Sequence, residues 1–507
     1  MLNATPLLRA YANRRLLRLA SLDPVAAQER ELLALVGRAR DTAFGRAHDF
    51  QNIRSVADYQ ARVKLRRWED FWRDHWRAPF PRLRDVSWPG LIPAFANTSG
   101  TTGAATKRIP VSREMMRANR RAALDVLAFH LAAKPGSRVL AGRNFILGGS
   151  TALETLAPGI VAGDLSGLAA ADIPWWIRRR SFPPKALALI EDWSRKVEIL
   201  APLSLAAHVT SFSGTPSWML LFFERLARLR PGGLARDLYP ELELVVHGGV
   251  GFAPYRERFQ AWLRGSRAEL REVYPASEGF IAIADRGDGD GLRLLLDNGL
   301  FFEFVRTDEL GSANPDRRWI ADAELGVDYA LVLTSNAGLW SYVVGDTVTL
   351  VGRTPPRLLV TGRTSWSLSV AGEHLTGQEL DAAVAETARA LGGTIADYAA
   401  AAIHPDAADP RGGHFFVVEA KGIASEASDR FAAVLDAALA RLNADYAAHR
   451  QGGYGFRRPR VLLAPPGTFA AWMASRGKLG GQNKVPRVIA DPALLAGLRQ
   501  AAGESGG

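Results

Sequence analysis

Not one of the 507 residues is cysteine. No disulfide framework, zinc–thiolate centre or iron–sulfur cluster can hold this chain together, and no cysteine nucleophile can serve it. The fold must therefore come from burial. The composition permits that, with 48% hydrophobic and 23% charged residues, a globular balance that sets disorder aside as the main state. At roughly 150 residues per domain, three domains or two large ones are expected. No run of about 18 apolar residues occurs, so no membrane span is expected. Absence of cysteine suits a reducing compartment, and a cytoplasmic location is the expectation.

Basic residues outnumber acidic ones by 63 to 52. Only Lys64, Lys107, Lys134, Lys185, Lys196, Lys421, Lys478 and Lys484 are lysine, and the rest are arginine. The arginines are spread along the chain in short runs such as Arg178-Arg179-Arg180. That spread fits a solvated surface better than a nucleic-acid groove, which would cluster them among stacking aromatics. Scarce lysine has a second consequence. A lysine inside a glycine-rich motif is less expected by chance.

The chain changes texture twice. Met1 to Ala20 is rich in Leu and Arg and reads as an amphipathic helix. Asp23-Pro24 starts a second helix, Asp as cap and Pro in the first turn. Ser55 to Trp76 is charged, aromatic and expected to be helical. From about Pro93, short apolar runs alternate with helical stretches: Leu242 to Val246 and Tyr329 to Ser335 read as strands, Ser217 to Arg230 as a helix. Asp297-Asn298-Gly299 between apolar segments predicts a hairpin. After about Gly362 the pattern restarts. A capped helix from Thr376, paired strands Tyr398 to His404 and His414 to Ala420, a helix from Ser425 and a strand Arg460 to Ala464 make one compact α+β unit.

Six motifs stand out. Thr98-Ser99-Gly100-Thr101-Thr102-Gly103, running on to Lys107, combines hydroxyls, glycines and a rare lysine. Glycines bring backbone N–H groups close to an anion and the lysine adds charge, so this is a phosphate loop or else a polar turn. It lacks the Walker spacing. His247-Gly248-Gly249 follows a strand and reads as a nucleotide loop, a His-Gly-Gly oxyanion loop or a plain turn. The oxyanion reading needs a Gly-x-Ser-x-Gly elbow, and the sole match, Gly503 to Gly507, has no following helix. Tyr274-Pro275-Ala276-Ser277-Glu278-Gly279 places a carboxylate suited to magnesium beside an aromatic and a hydroxyl. Asp346, in Tyr342-Val343-Val344-Gly345-Asp346, can accept hydrogen bonds from two ribose hydroxyls. Thr361-Gly362-Arg363 precedes Gly372-Glu373-His374-Leu375, and Gly477 to Arg487 sets Lys478 and Lys484 in a glycine-rich loop. Each of the last four also reads as turn or loop chemistry when taken alone.

Together, in this order, the motifs resemble the adenylate-forming superfamily, and more narrowly the Gretchen-Hagen acyl-acid amido synthetases. The narrower likeness rests on Thr98 to Lys107 with Ile109-Pro110, on Tyr274 to Gly279 and on Tyr342 to Asp346. Gly467-Thr468-Phe469 and Gln482-x-Lys484-x-Pro486-Arg487 support it. The resemblance covers about Thr42 to Val488. It implies an α/β fold: a large N-terminal α/β domain of adenylate-forming type and a smaller, mobile C-terminal α+β domain. The expected division is a helical section over residues 1–90, an ATP- and acyl-binding section over 91–365 and a C-terminal domain over 366–507, hinged near Ser365-Trp366.

The resemblance also implies roles. Ser99 to Gly103 wrap the ATP phosphates with Thr98 and Lys107 alongside. Gly248 and Gly249 line the adenine and acyl pocket, Tyr274 lies near the adenine, and Ser277 and Tyr342 are among the ATP-binding residues. Glu278 holds magnesium. Asp346 binds the ribose hydroxyls with Arg363 close by. Lys484 stabilises charge as a carboxylate attacks the α-phosphate. The implied enzyme is an ATP- and Mg2+-dependent ligase that adenylates an aryl or alkyl carboxylic acid and passes the acyl group to an amine, an amino acid by expectation. An acyl-coenzyme A ligase and a non-catalytic nucleotide-binding module are the alternatives. Val343 stands where the family often has arginine. The acyl pocket is expected among Met115 to Phe129, Trp175 to Ile177 and Phe212 to Trp218, whose aromatics read equally well as core.

Overall fold

The computed structural model describes residues 3–98, 107–148, 152–172, 175–190, 192–253, 255–287, 289–364, 368, 375–403, 412–443, 446–447, 450, 457–479 and 484–504. The architecture is the expected mixed α/β one. A twelve-stranded sheet forms its backbone. In spatial order it runs Arg317–Trp319, Leu300–Arg306, Asp328–Ser335, Tyr342–Arg353, Pro356–Arg363, Leu292–Leu294, Gly279–Ile283, Glu269–Ala276, Leu244–Gly248, Val209–Gly214, Arg143–Leu147 and Ser181–Phe182.

The last five strands of that order pair in parallel. Parallel neighbours need crossovers, and helices Pro216–Leu229 and Arg256–Leu263 supply two of them. The other strands pair antiparallel. The change occurs at Ser277-Glu278, the two-residue turn closed by the Ala276–Gly279 pair. Ligands gather outside the carboxyl ends of parallel strands, and Gly248 and Ala276 are two such ends.

The N-terminal helices pack onto this sheet. Thr5–Ala20 is amphipathic as predicted, burying Leu8, Ala12, Arg15 and Leu19. Pro24–Ala39 is capped by Asp23, whose carboxylate accepts from Ala26 N at 2.7 Å. Arg108 and its neighbours belong to a second, four-stranded sheet that holds the hairpin Ala94–Thr98 with Lys107–Val111.

A third sheet follows Leu368: Thr394–Ile403, Gly413–Lys421 and Arg460–Ala464. Successive side chains of a strand point to opposite faces, and here both faces are covered. Tyr398, Ala400, Phe416 and Val418 pack with helices Gly377–Ala390 and Ser428–Leu442. Ala399, Phe415 and Val417 pack with Thr468–Ser475 and Pro492–Ala501.

Two local expectations fail. Asp297-Asn298-Gly299 does not close a hairpin: Leu292–Leu294 pairs with Gly279–Ile283 and Pro356–Arg363, whereas Leu300–Arg306 pairs with Arg317–Trp319 and Asp328–Ser335. Tertiary charges hold the turn instead. Arg15 pairs with Asp297 at 2.6 Å and Arg121 donates to the Asp297 carbonyl at 2.5 Å. Ser55 to Trp76 is not one helix. It is Val56–Arg62, an extended link, then Trp68–Phe71 running into the wider turns of Trp72–Trp76. Inside the link, Arg66 N donates to Ser341 O at 3.0 Å and Val343 N donates to Arg66 O at 2.9 Å. Those bonds bracket Tyr342.

Candidate functional site

The backbone prepares the site before any side chain enters it. A Cβ on Gly248 would lie 2.2 Å from the Val273 carbonyl oxygen, so only glycine fits against that neighbouring strand. Gly249 has φ +89°, a left-handed conformation that glycine adopts without strain. The loop thus presents bare backbone at the end of a parallel strand.

Buried Tyr274 and Asp346 and the partly exposed Arg363 form one group beside it. Asp346 and Arg363 are direct partners across strands Tyr342–Arg353 and Pro356–Arg363, and Arg363 Nε lies 2.9 Å from Asp346 Oδ1. The Tyr274 hydroxyl donates to Asp346 Oδ2. The neighbouring Asp346 charge raises the Arg363 pKa, and burial, with Asp346 adding to it, drives the Tyr274 hydroxyl well above its usual range. Asp346 thus has one oxygen facing a guanidinium and the other a hydroxyl.

Glu278 occupies the two-residue turn next to this group and is 8% exposed. Burial, reinforced by Asp346, pushes its carboxyl up to about 7. The Tyr342 hydroxyl is hydrogen-bonded to it. Ser277, the other turn residue, is partly exposed. A carboxyl made costly to ionise is a ready ligand for a hard cation, whose charge would repay the ionisation. Among the described residues no cluster of three or more His, Asp or Glu side chains could hold a metal alone. Glu278 thus fits a cation that brings its other oxygen ligands with it, as magnesium on phosphates does.

Lys484 enters from the C-terminal section. Its Nζ lies 3.4 Å from where a Cβ on Gly249 would be. Burial, with Arg363 adding to it and Asp346 opposing it, lowers its ammonium to about 8. An ammonium over bare glycine backbone, flanked by a guanidinium, is arranged for an anion.

Of the sequence-predicted residues, Gly248, Gly249, Tyr274, Ser277, Glu278, Tyr342, Asp346, Arg363 and Lys484 gather in this one region. Ser99, Gly100, Thr101, Thr102 and Gly103 lie outside the described residues, as do Ser365-Trp366, Gly372 to His374 and Gly480 to Asn483. Thr98 and Lys107 pair directly at the base of the phosphate-loop segment. Lys107 Nζ is engaged by Glu69 Oε1 at 2.7 Å and lies 5.9 Å from the centre of the Trp68 ring. Glu69 acts electrostatically on Tyr342 as well. Neither Glu69 nor Arg66 is legible from sequence alone, because neither belongs to a glycine-rich motif.

Several candidates resolve differently. His247 is 1% exposed, stacks on Phe252 at 3.7 Å between ring centroids, and is held neutral by burial at about 3. It is a core residue. Phe212 and Trp218 are also core. Within the stretch Met115 to Phe129, where the acyl pocket is expected, Arg120 pairs with Asp172 at 3.2 Å and Arg121 bonds the Asp297 turn. Val343 packs with Val305 and Val332, so the position that often carries arginine faces the sheet core here.

Comparison with known proteins follows the same lines. Residues 14–267 match the GH3 family N-terminal domain, 293–363 the GH3 family central domain and 378–493 the GH3 family C-terminal domain. An indole-3-acetic acid-amido synthetase (GH3.8) of Oryza sativa subsp. indica is 28% identical over 290 residues, which are 52% of this chain and 46% of that protein. The chain thus spans about half the length of the curated relative it matches. The solved GH3.15 acyl acid amido synthetase superposes with a TM-score of 0.79 at 18% identity, over 96% of this chain and 95% of that one. A 2-hydroxyisobutyryl-CoA ligase in its postadenylation state gives 0.62 at 18% identity, over 94% and 91%. At such identity the solved structures share the fold, and no helix among the described residues is long and apolar enough to cross a membrane. With three successive family domains matched in order, the chain belongs to the Gretchen-Hagen (GH3) family of the adenylate-forming fold.

Proposed function

We propose that this protein is an ATP-dependent acid–amino-acid ligase. It activates a carboxylic acid as an acyl-adenylate, releases pyrophosphate and transfers the acyl group to an amine. The convergence of Lys484 with Asp346, Arg363 and Glu278 around Gly248 and Gly249 carries this reading. The names of its relatives support an amino acid as acceptor and an acyl acid as the group activated.

A carboxylate is a poor electrophile because oxide is its leaving group. Adenylation substitutes AMP, and the barrier then lies in negative charge gathering at the α-phosphate. Groups already aimed at that charge supply the largest share of the rate. Lys484 takes that part, its ammonium kept at hand by the loop backbone. Asp346 holds the ribose hydroxyls, and its pairing with Arg363 fixes the carboxylate's orientation. Tyr274 braces Asp346 from the other side and lies against the base. Glu278, with Tyr342 fixing it, would hold Mg2+, which supplies charge neutralisation at the phosphates. Ser99 to Gly103, with Thr98 and Lys107 at the loop's base, would wrap the terminal phosphates. The working division of the chain is residues 1–90, 91–365 and 366–507, with the last moving between half-reactions so that the amine can enter.

Pyrophosphate release with ATP and magnesium, against a panel of aryl and alkyl carboxylic acids, tests the proposal. Wild type is run beside Lys484→Ala, with and without mixed amino acids. Acid-dependent release that collapses in the variant, with amide formed when amino acids are present, is the expected result. Thioester formed with coenzyme A instead would reassign the acceptor. ATP binding without release for any acid would reduce the protein to a nucleotide-binding module.

A further inference from the structure

Lys484 reaches Gly249 only if the C-terminal section is seated on the large sheet, so whatever seats it also controls the lysine. The seat is unusually polar for a buried place. Arg487, three residues beyond Lys484, is 8% exposed. Its Nη2 donates to the Tyr255 hydroxyl at 2.7 Å, its Nη1 to the Tyr398 carbonyl at 3.0 Å and to Asp397 Oδ1, and its Nε to Asp381 Oδ1 at 3.2 Å. Tyr255 is the one member of this group from the large section, and it is 1% exposed. Its hydroxyl in turn donates to Asp397 Oδ1 at 3.4 Å. Asp381 also touches the large section through its other oxygen, since a Cβ on Gly251 would lie 2.1 Å from Oδ2. The C-terminal section therefore meets one short loop twice, with Lys484 at Gly249 and Asp381 at Gly251.

The link between clamp and lysine is stiff. Arg487 O accepts from Ala400 N at 2.8 Å, and Ile489 N donates to Ala400 O at 2.8 Å, which ties this stretch to strand Thr394–Ile403. Val485 is buried in the C-terminal core, and the ring of Pro486 fixes its own φ. A guanidinium has a planar fork that distinguishes direction as well as charge. Elsewhere along the seam lie surface ion pairs such as Lys421 with Glu224 and Arg389 with Glu257, of a kind that contributes little, together with Arg258 on the Ile395 carbonyl at 3.5 Å and Leu479 packed against the large section's core.

We propose that Arg487 is a positioning residue that latches the C-terminal section onto the Gly248–Gly251 loop through Tyr255 and Asp381, and thereby sets Lys484 in the nucleotide site. The latch rests on the role given to Lys484 above. It is built to open. On the large side it depends on one hydroxyl and one glycine, so the section can leave without abandoning a buried charge there, while Arg487 keeps both carboxylates and the Tyr398 carbonyl when it goes.

Removing Arg487 would strand two buried carboxylates and endanger the fold, so the test uses Tyr255→Phe and Gly251→Ala. The absence of native cysteine makes paired labelling direct. Cysteines replacing the exposed Arg228 and Arg430 take spin labels, and the distance distribution is read with Mg–ATP and no acid. Unaltered far-ultraviolet dichroism and melting serve as the check on folding. Tyr255→Phe should move the closed-to-open ratio about tenfold toward open, the usual consequence of losing one hydrogen bond to a charged group. Gly251→Ala should move it at least as far. An unchanged distribution in both variants would overturn the latch while leaving the ligase reading intact. A shifted distribution in a protein that releases no pyrophosphate with any acid would support the latch and overturn the ligase reading instead.

Discussion

Glu278 offers the sharpest test of the site's physical logic, because its charge is costly where it sits. Its carboxyl is held at about 7 against an ordinary 4.5, chiefly by burial. Below pH 4.5 it is protonated in the folded and unfolded chains alike, and the difference contributes nothing. As pH rises from there, the unfolded carboxyl ionises while the folded one keeps its proton, so stability falls. By pH 7 the loss reaches about 3 kcal/mol, and it stays constant above that. Glu278→Gln removes the penalty and keeps a side chain of the same shape able to bond Tyr342. The free variant should therefore exceed wild type in stability by up to about 3 kcal/mol at pH 8 and by little at pH 5.

Denaturant midpoints of both proteins at pH 5 and pH 8, without nucleotide, measure this. Pyrophosphate release in the same preparations should move the other way, with the stabilised variant losing most of its activity. Added Mg–ATP should raise the wild-type midpoint at pH 8 more than the variant's. If the variant is no more stable than wild type at pH 8, the carboxyl is adequately solvated, and the case for it as a cation ligand kept at a cost in stability fails.

Further expectations follow from single side chains. Lys484 acts only while charged, so pyrophosphate release should decline as pH rises through about 8, and Lys484→Arg should remove that limb from a pH–rate profile. Lys484→Ala should lower the rate on the order of a hundredfold or more while leaving ATP affinity, read by calorimetry, nearly intact. Asp346→Ala should do the reverse and weaken ATP binding about tenfold or more by losing a charged acceptor. Val343→Arg, which restores a residue common in the family, should not help. It buries a charge against Val305 and Val332 and should lower the melting temperature sharply, the usual result of an unpaired buried charge.

The parts of this molecule legible in sequence share a property: each is a local chemical constraint. Gly248 is dictated by a carbonyl 2.2 Å from where its Cβ would be, Asp23 by an exposed helix N-terminus, and the alternation in Tyr398 to Val418 by two covered sheet faces. Asp297-Asn298-Gly299 shows where locality ends. Its turn chemistry is legible, but the strands on its two sides pair elsewhere in the sheet, and the turn is held by Arg121 and by Arg15, which lies nearly 300 residues away in sequence. Arg66 and Glu69 were missed for the same reason. Their work is done on Tyr342 and Lys107, and nothing in the stretch Ser55 to Trp76 records those partners.

This difference also separates the two kinds of arginine in a chain full of them. Composition suggested surface cations, and Arg117 and Arg430 are exposed. Arg15, Arg271, Arg317 and Arg487 are each below a tenth exposed in their side chains, and each is paired with a carboxylate. A guanidinium keeps its charge when buried and can satisfy several acceptors in one plane, which an ammonium cannot. Lys484 occupies the contrasting position. Its ammonium faces backbone and a like charge, with Asp346 drawing it back. The four arginines have their buried charge met by carboxylates, and the ligase reading proposed above leaves Lys484 for a substrate anion.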